Sequence, residues 1–329
     1  MTLPASTSST AGPAGSIRMN PGTGRLETYT STSGGRWEPM MQPFLTRQII
    51  TTGYLQGGYA ASVAWNNTNR ITVATDTTVN LGDGTQERSH NYQSAAHNRT
   101  RSFTFGAGNG HCVASNQVIC FNMRTETAQT SGYTRTLPVA QVNTSTVQQE
   151  EFFSWTTSAY GSNAIYEWNL TTETLTGTTS STSGSPNGGT SHETYGVFTQ
   201  NNQIWTYATR TLTARGGTAM SGDGMQHILQ FKRDFQYGGR EGNPSTNWRE
   251  SNMITNTSYD AIGAKPAYSG EENHIIGQDW GYCLGFYNGG HVNTSYKFVY
   301  STKVGYLGGT SMEPKGKSGN SSGTVAWRD

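Results

Sequence analysis

Short runs in which bulky and polar side chains alternate, each ending in a polar Thr/Ser turn, recur along the chain. They read LETYTSTSG (26–34), ITVATDTTVNLG (71–82), VICFNMRTETAQT (118–130) and IYEWNLTTETLTGT (165–178). Three more read IWTYATRTLTARGG (204–217), MITNTSYDAIG (253–263) and YKFVYSTKVGYLGG (296–309). A period of two predicts half-buried strands, and the Thr-rich stretch after each predicts a turn. Turns placed at Thr30, Asp76, Thr125, Thr172, Thr209, Asn256 and Thr302 are separated by 46, 49, 47, 37, 47 and 46 residues. The 37-residue step is the least regular.

A mean step of about 45 residues falls within the roughly 40–50 expected of β-propeller blades. The expected fold class is therefore all-β. Gly57-Gly58, Gly188-Gly189, Gly238-Gly239 and Gly289-Gly290 each precede a turn. The order of Gly pair, aromatic strand and Thr-containing turn resembles the kelch family over most of residues 45–310. That resemblance implies a kelch-like β-propeller of six blades, or seven if residues 25–45 join the ring. Its closing strand would be GTVAWRD (323–329), with Leu55–Trp65 and Phe152–Trp155 in inner strands. A sandwich or other multi-sheet β fold is the alternative, since Thr-rich strands give similar turns there.

Composition supports many short strands. Hydrophobic residues are only 33% of 329, but 8 Trp, 17 Tyr and 11 Phe can supply a core, because each buries a large area. Thr, Ser, Asn and 41 Gly suit strands and turns. A formal charge of +1 leaves no basic stripe to neutralise phosphates, so duplex nucleic acid is not an expected partner. No apolar run reaches 18 residues, so no membrane partner is expected either.

Candidate chemistry is sparse. His90, His97, His111, His192, His227, His274 and His291 show no metal-ligand spacing. Cys112 and Cys120 could face each other across a hairpin, but with Cys283 they read as reduced, buried thiols. Gly106–Gly110 has no helix N-terminus to receive a phosphate, and Lys315–Ser318 lacks the leading glycine of a phosphate loop. The acids Asp83, Glu87, Asp223, Glu271, Glu272 and Asp279 are the candidates for a glycosidase carboxylate pair, the weakest of the alternatives, and Glu271-Glu272 reads as a solvated loop. No catalytic residue, cofactor or metal site is expected. Tyr54, Tyr59, Trp65, Trp280, Tyr282 and Tyr287 stand in or near Gly-rich turns. They are candidate ligand loops for a host-surface glycan, or else packing residues between blades.

The N-terminal end carries the most specific pattern. Residues 1–16 form a Ser/Thr/Pro/Gly arm expected to be disordered in isolation, with no signal-peptide organisation. Asn20-Pro21-Gly22-Thr23-Gly24 predicts a turn between strands at Ser16–Met19 and Arg25–Tyr29, with Trp37 capping the apolar face. Gly15, Ile17, Arg18, Asn20, Leu26, Glu27, Tyr29 and Trp37 resemble a hairpin module of bacteriophage tail and fibre proteins. Ile49–Tyr59 and Asn69–Asp83 are similar to virion structural proteins of contractile-tailed marine cyanobacterial phages. These resemblances imply a virion component rather than an enzyme. The implied organisation is an arm (1–16), an attachment hairpin (17–45; Ile17, Arg18, Leu26, Tyr29 and Trp37) and a propeller (46–329). The expected partners are other virion proteins and further copies of the chain within the particle. A receptor- or carbohydrate-binding tip is the alternative.

Overall fold

The computed structural model describes residues 16–20, 25–30, 36–39, 50–60, 63–64, 66–73, 75–85, 94–106, 115–129, 135–149, 152–160, 164–180, 189–191, 194–198, 203–215, 228–229, 235–238, 245–252, 257–269, 273–276, 280–287, 291–299, 302, 304–308 and 322–328. Among them every regular element is a β-strand, no helix occurs, and all pairings are antiparallel. The chain divides into two compact units, Met1–Ile49 and Ile50–Asp329.

The first unit holds β1 (Ile17–Asn20), β2 (Arg25–Thr30) and β3 (Arg36–Pro39), paired in that order. The expected hairpin is thus extended by a third strand, which aligns Trp37 with Tyr29. The strand of the first sequence copy, 26–34, belongs to this sheet. Of the arm at 1–16, only Ser16 lies within the described residues; its carbonyl accepts from Tyr29 N at 2.9 Å.

In the second unit, β4 (Ile50–Gly57), β7 (Thr68–Thr72) and β8 (Thr77–Asn80) form one sheet; β5 (Tyr59–Ala60) and β6 (Val63–Ala64) make a small ribbon. The sequence β9 (Ser94–His97), β10 (Arg101–Phe105), β11 (Ser115–Asn122) and β12 (Thr127–Ala128) follows. Then come β13 (Thr136–Gln149), β14 (Phe153–Tyr160), β15 (Ala164–Asn169) and β16 (Thr174–Ser180). These two groups join through an irregular β11–β13 pairing into one eight-stranded sheet.

Three four-stranded sheets complete the chain order. They are β17 (Gly189–Ser191), β18 (Tyr195–Phe198), β19 (Gln203–Thr206) and β20 (Thr211–Ala214); β21 (Ile228–Leu229), β22 (Phe235–Gly238), β23 (Ser245–Asn252) and β24 (Thr257–Ser269); and β25 (Asn273–Ile276), β26 (Trp280–Tyr287), β27 (His291–Val299) and β28 (Val304–Gly308). The last strand, β29 (Ser322–Arg328), pairs with β4, giving the order β29-β4-β7-β8. β4 thus lies between β29 and β7, and β14 lies between β13 and β15.

Four hairpins share one turn. Thr72↔Thr77, Asn122↔Thr127, Asn169↔Thr174 and Thr206↔Thr211 each enclose four residues. The last of the four, Asp76, Glu126, Glu173 or Arg210, is left-handed, with φ of 53–58°. A threonine on either side of it closes the turn through hydroxyl contacts of 2.7–2.8 Å, as between Thr125 and Thr127. Asn122 and Asn169 accept from two turn amides each, a local bond that favours turns over continued strand.

The core lies between sheets, as in the cluster of Val147, Trp155, Ile165, Phe198, Trp205 and Tyr207. Glycine permits the closest approach there. A Cβ at Gly189 would overlap the Thr146 carbonyl, and one at Gly196 would overlap the Val147 side chain; at Gly177 the nearest atom is 3.6 Å away. Gly189→Ala and Gly196→Ala should each cost about 1–3 kcal/mol in denaturant unfolding, while Gly177→Ala should stay within about 0.5 kcal/mol of wild type.

Candidate functional site

The side chain of each left-handed turn residue crosses to a neighbouring group of strands. At Glu126, the turn after β11, Arg70 on β7 donates to both carboxylate oxygens at 2.9 and 2.8 Å. The Tyr54 hydroxyl on β4 donates to the same carboxylate at 3.0 Å and to the Met123 carbonyl at 3.1 Å. Beneath these bonds, Tyr54 meets Phe121 edge-on at 5.4 Å, and Met123 is buried with them.

The joint between β25–β28 and the β7–β8 turn repeats this geometry. Lys297 donates to Asp76 at 2.9 and 3.1 Å. Tyr282, only 2% exposed, reaches Asp76 and the Val73 carbonyl. Tyr282 packs with Leu55, Ile71 and Val73. Burial, and then the hydrogen bond to Asp76, push the Tyr282 hydroxyl far above the ordinary tyrosine range. Lys297 also lies 4.0 Å from the centre of the Trp280 ring, and Trp280 Nε1 donates to Tyr282 at 2.9 Å.

Two joints vary the theme. Phe103 and Cys120 replace the tyrosine and the cation in the β9–β12 group, so Glu173 is held by Arg101 at 2.5 Å and by Arg135. Arg135 Nε reaches the Glu173 carbonyl at 2.7 Å, and Asn98 reaches the Leu170 carbonyl at 2.8 Å. Burial lowers the Arg135 guanidinium to about 10; nearby Cys120 opposes this and Arg101 adds to it. In the fourth joint the signs are exchanged. Arg210 donates to Glu167 at 2.5 and 3.1 Å, and Trp155 and Thr176 donate to the same carboxylate at 2.9 and 3.1 Å. Tyr207 stacks on Trp155 with ring centres 4.6 Å apart.

In the first unit, Arg18 and Glu27 face each other across β1–β2 and pair at 2.7 Å. Ile17 beside them is 43% exposed. The side chains of Leu26 and Trp37 lie outside the described residues; Tyr29 is half-buried. Of the six candidate ligand-loop aromatics, Tyr54 and Tyr282 are buried with their hydroxyls committed to turns, and Trp280 is partly buried beside Tyr282. Trp65 and the side chains of Tyr59 and Tyr287 lie outside the described residues. Cys120 is a buried thiol whose Sγ lies 3.7 Å from Gln129 Oε1, and Cys112 lies outside the described residues. Sequence reasoning marked the turns but missed their charged residue. Aligning the copies on Thr75-Asp76-Thr77, Thr125-Glu126-Thr127, Thr172-Glu173-Thr174 and Thr209-Arg210-Thr211 brings it into one column.

No protein-family model matches this chain, and no curated protein matches it.

Two outcomes are expected. Tyr54→Phe and Tyr282→Phe leave a buried carbonyl without its donor, so each should lower unfolding free energy by about 1–3 kcal/mol. For Glu167, burial raises the carboxyl pKa, but bonds from Arg210, Trp155 and Thr176 outweigh it and leave the value below 4.5. The stability it contributes is present above the unfolded-state value of about 4.3 and is lost as pH falls through the lower folded value. Melting curves from pH 7 to pH 3 should show a steeper acid loss for wild type than for Glu167→Gln.

Proposed function

We propose that this chain is a structural component of a bacteriophage virion, in the tail, neck or fibre. It docks through its N-terminal module and displays a rigid, kelch-like ring of six blades. The observation that carries the docking role is the Arg18–Glu27 pair. It joins two residues of the phage hairpin pattern within a unit compact by itself. Ile17 beside it offers apolar surface to a partner.

Three features support the ring. β29 shares a sheet with β4 near the start of the second unit. β29, β9, β13, β17, β21 and β25 neighbour one another in sequence, and β25 neighbours β29 again. Lys297 and Tyr282, late in the chain, hold Asp76 with the geometry that Arg70 and Tyr54 use on Glu126. Radial repetition of this kind leaves only short strand edges exposed.

Particles purified from the encoding phage should contain the chain by mass spectrometry, and antibodies against residues 50–329 should decorate them. Arg18→Glu, which sets two like charges across β1–β2, should reduce incorporation at least tenfold while melting of the second unit is unchanged. A chain found only in the particle-free lysate contradicts the proposal.

A further inference from the structure

In five groups of strands a small residue stands opposite a large buried one. Gly53 faces Ile71, Ser102 faces Phe121, Ser154 faces Trp168, Gly196 faces Trp205 and Gly281 faces Phe298. All five large side chains are buried. Glycine suffices for packing at three of these places, so a serine there needs a use for its hydroxyl. Ser102 has one, since its Oγ accepts from Gln56 Nε2.

Ser154 differs. It is fully buried on β14, yet its Oγ has no hydrogen-bond partner in the protein. Trp168 Nε1, directly across β14–β15, is also buried without one. Aligned residues of an antiparallel pair project from one face of the sheet, with Cβ atoms about 4.5–5.5 Å apart. A hydroxyl and an indole N–H thus share one buried space without bonding each other. Gln148 completes the row on β13, but it gives its side-chain amide to the His97 backbone on β9. Its Oε1 accepts from His97 N at 3.0 Å, and its Nε2 donates to His97 O at 2.6 Å. Thr156, two residues along β14, is joined to Thr146 at 2.8 Å, and Thr146 to Ser94 at 2.5 Å. Phe103 and Phe105 wall the other side, with ring centres 6.4 and 5.9 Å from that of Trp168.

Buried polar groups are costly to leave unpaired, and an ordered water is the usual remedy where two of them converge. We propose that Ser154 and Trp168 form a binding site for one ordered water molecule, which accepts from Trp168 Nε1 and bonds to Ser154 Oγ. It ties β14 to β15 within the joint against β9–β12. The chemistry selects water, because a hydroxyl beside an N–H donor calls for a small group that both accepts and donates. The row of Gln148, Ser154 and Trp168 carries no charge to hold an ion. Trp205 Nε1 also has no partner, but Gly196 opposite offers no second polar group. The proposal is independent of the virion role and of the ring arrangement.

A crystal structure of the full chain, at a resolution that shows ordered water, tests the site. A peak should stand about 2.7–3.2 Å from both Ser154 Oγ and Trp168 Nε1, and it should be absent from S154A. No peak, or a peak bonded to one group alone, overturns the proposal. A dry site with the indole N–H against the Phe105 ring is the alternative that map would show. Thermal unfolding gives a second reading with a definite sign. Removing a hydroxyl that has no partner relieves its desolvation, so S154A would then match or exceed the wild-type midpoint. Removing one that holds a water strands the indole, so the site predicts a midpoint lower by about 2–4 °C. W168F should lower it as well, and the loss in S154A/W168F should fall short of the sum of the two. Strict additivity overturns the bridge. Should W168F fail to fold, the map and the sign of S154A decide.

Discussion

The four described joints of the larger unit depend on one constraint: a charged side chain held at a left-handed backbone position so that it reaches a neighbouring group of strands. That conformation costs an L-residue roughly 1–2 kcal/mol, a cost glycine avoids. Asp76, Glu126, Glu173 and Arg210 all accept it, in a chain that uses glycine freely elsewhere. Their side chains explain why, because each carries bonds across a joint that a glycine would leave unmade.

The charges alone do not hold the joints. Partly exposed ion pairs contribute about 0–1 kcal/mol, whereas burying a large apolar side chain contributes about 1.5–3 kcal/mol. Val73, Met123, Leu170 and Tyr207 each begin such a turn and are buried, so they supply most of the adhesion. The ion pair beside them adds bonds across the joint. Tyrosine joins the two roles at Tyr54 and Tyr282, with a ring in the apolar layer and a hydroxyl on the turn. Where Phe103 lacks the hydroxyl, Asn98 and Arg135 take over the carbonyls.

The all-β class, the strands and the Thr-rich turns were legible because periodicity and turn chemistry are local. The joints were not, since Tyr282 and Asp76 are 206 residues apart. Tyr54 and Tyr282 looked like ligand-loop residues because glycines surround them; of those glycines, Gly57 and Gly58 take φ of 63° and 123° where β4 ends. The short 37-residue step, from Thr172 to Thr209, contains β17–β19, strands of only three and four residues. Anchoring the second copy on Asp76 and the third on Thr125 set the copies one residue out of register, which hid the charged column.

The most direct test of the central claim is the thermal midpoint of Glu126→Gly. Glycine relieves the left-handed turn, so a turn that acts only locally would become more stable. The account predicts a lower midpoint. Arg70 loses its ion pair, and the Tyr54 hydroxyl loses a bond to a charged group worth about 1.5–3 kcal/mol; together these exceed the relief at the turn. A midpoint equal to or above wild type would contradict it.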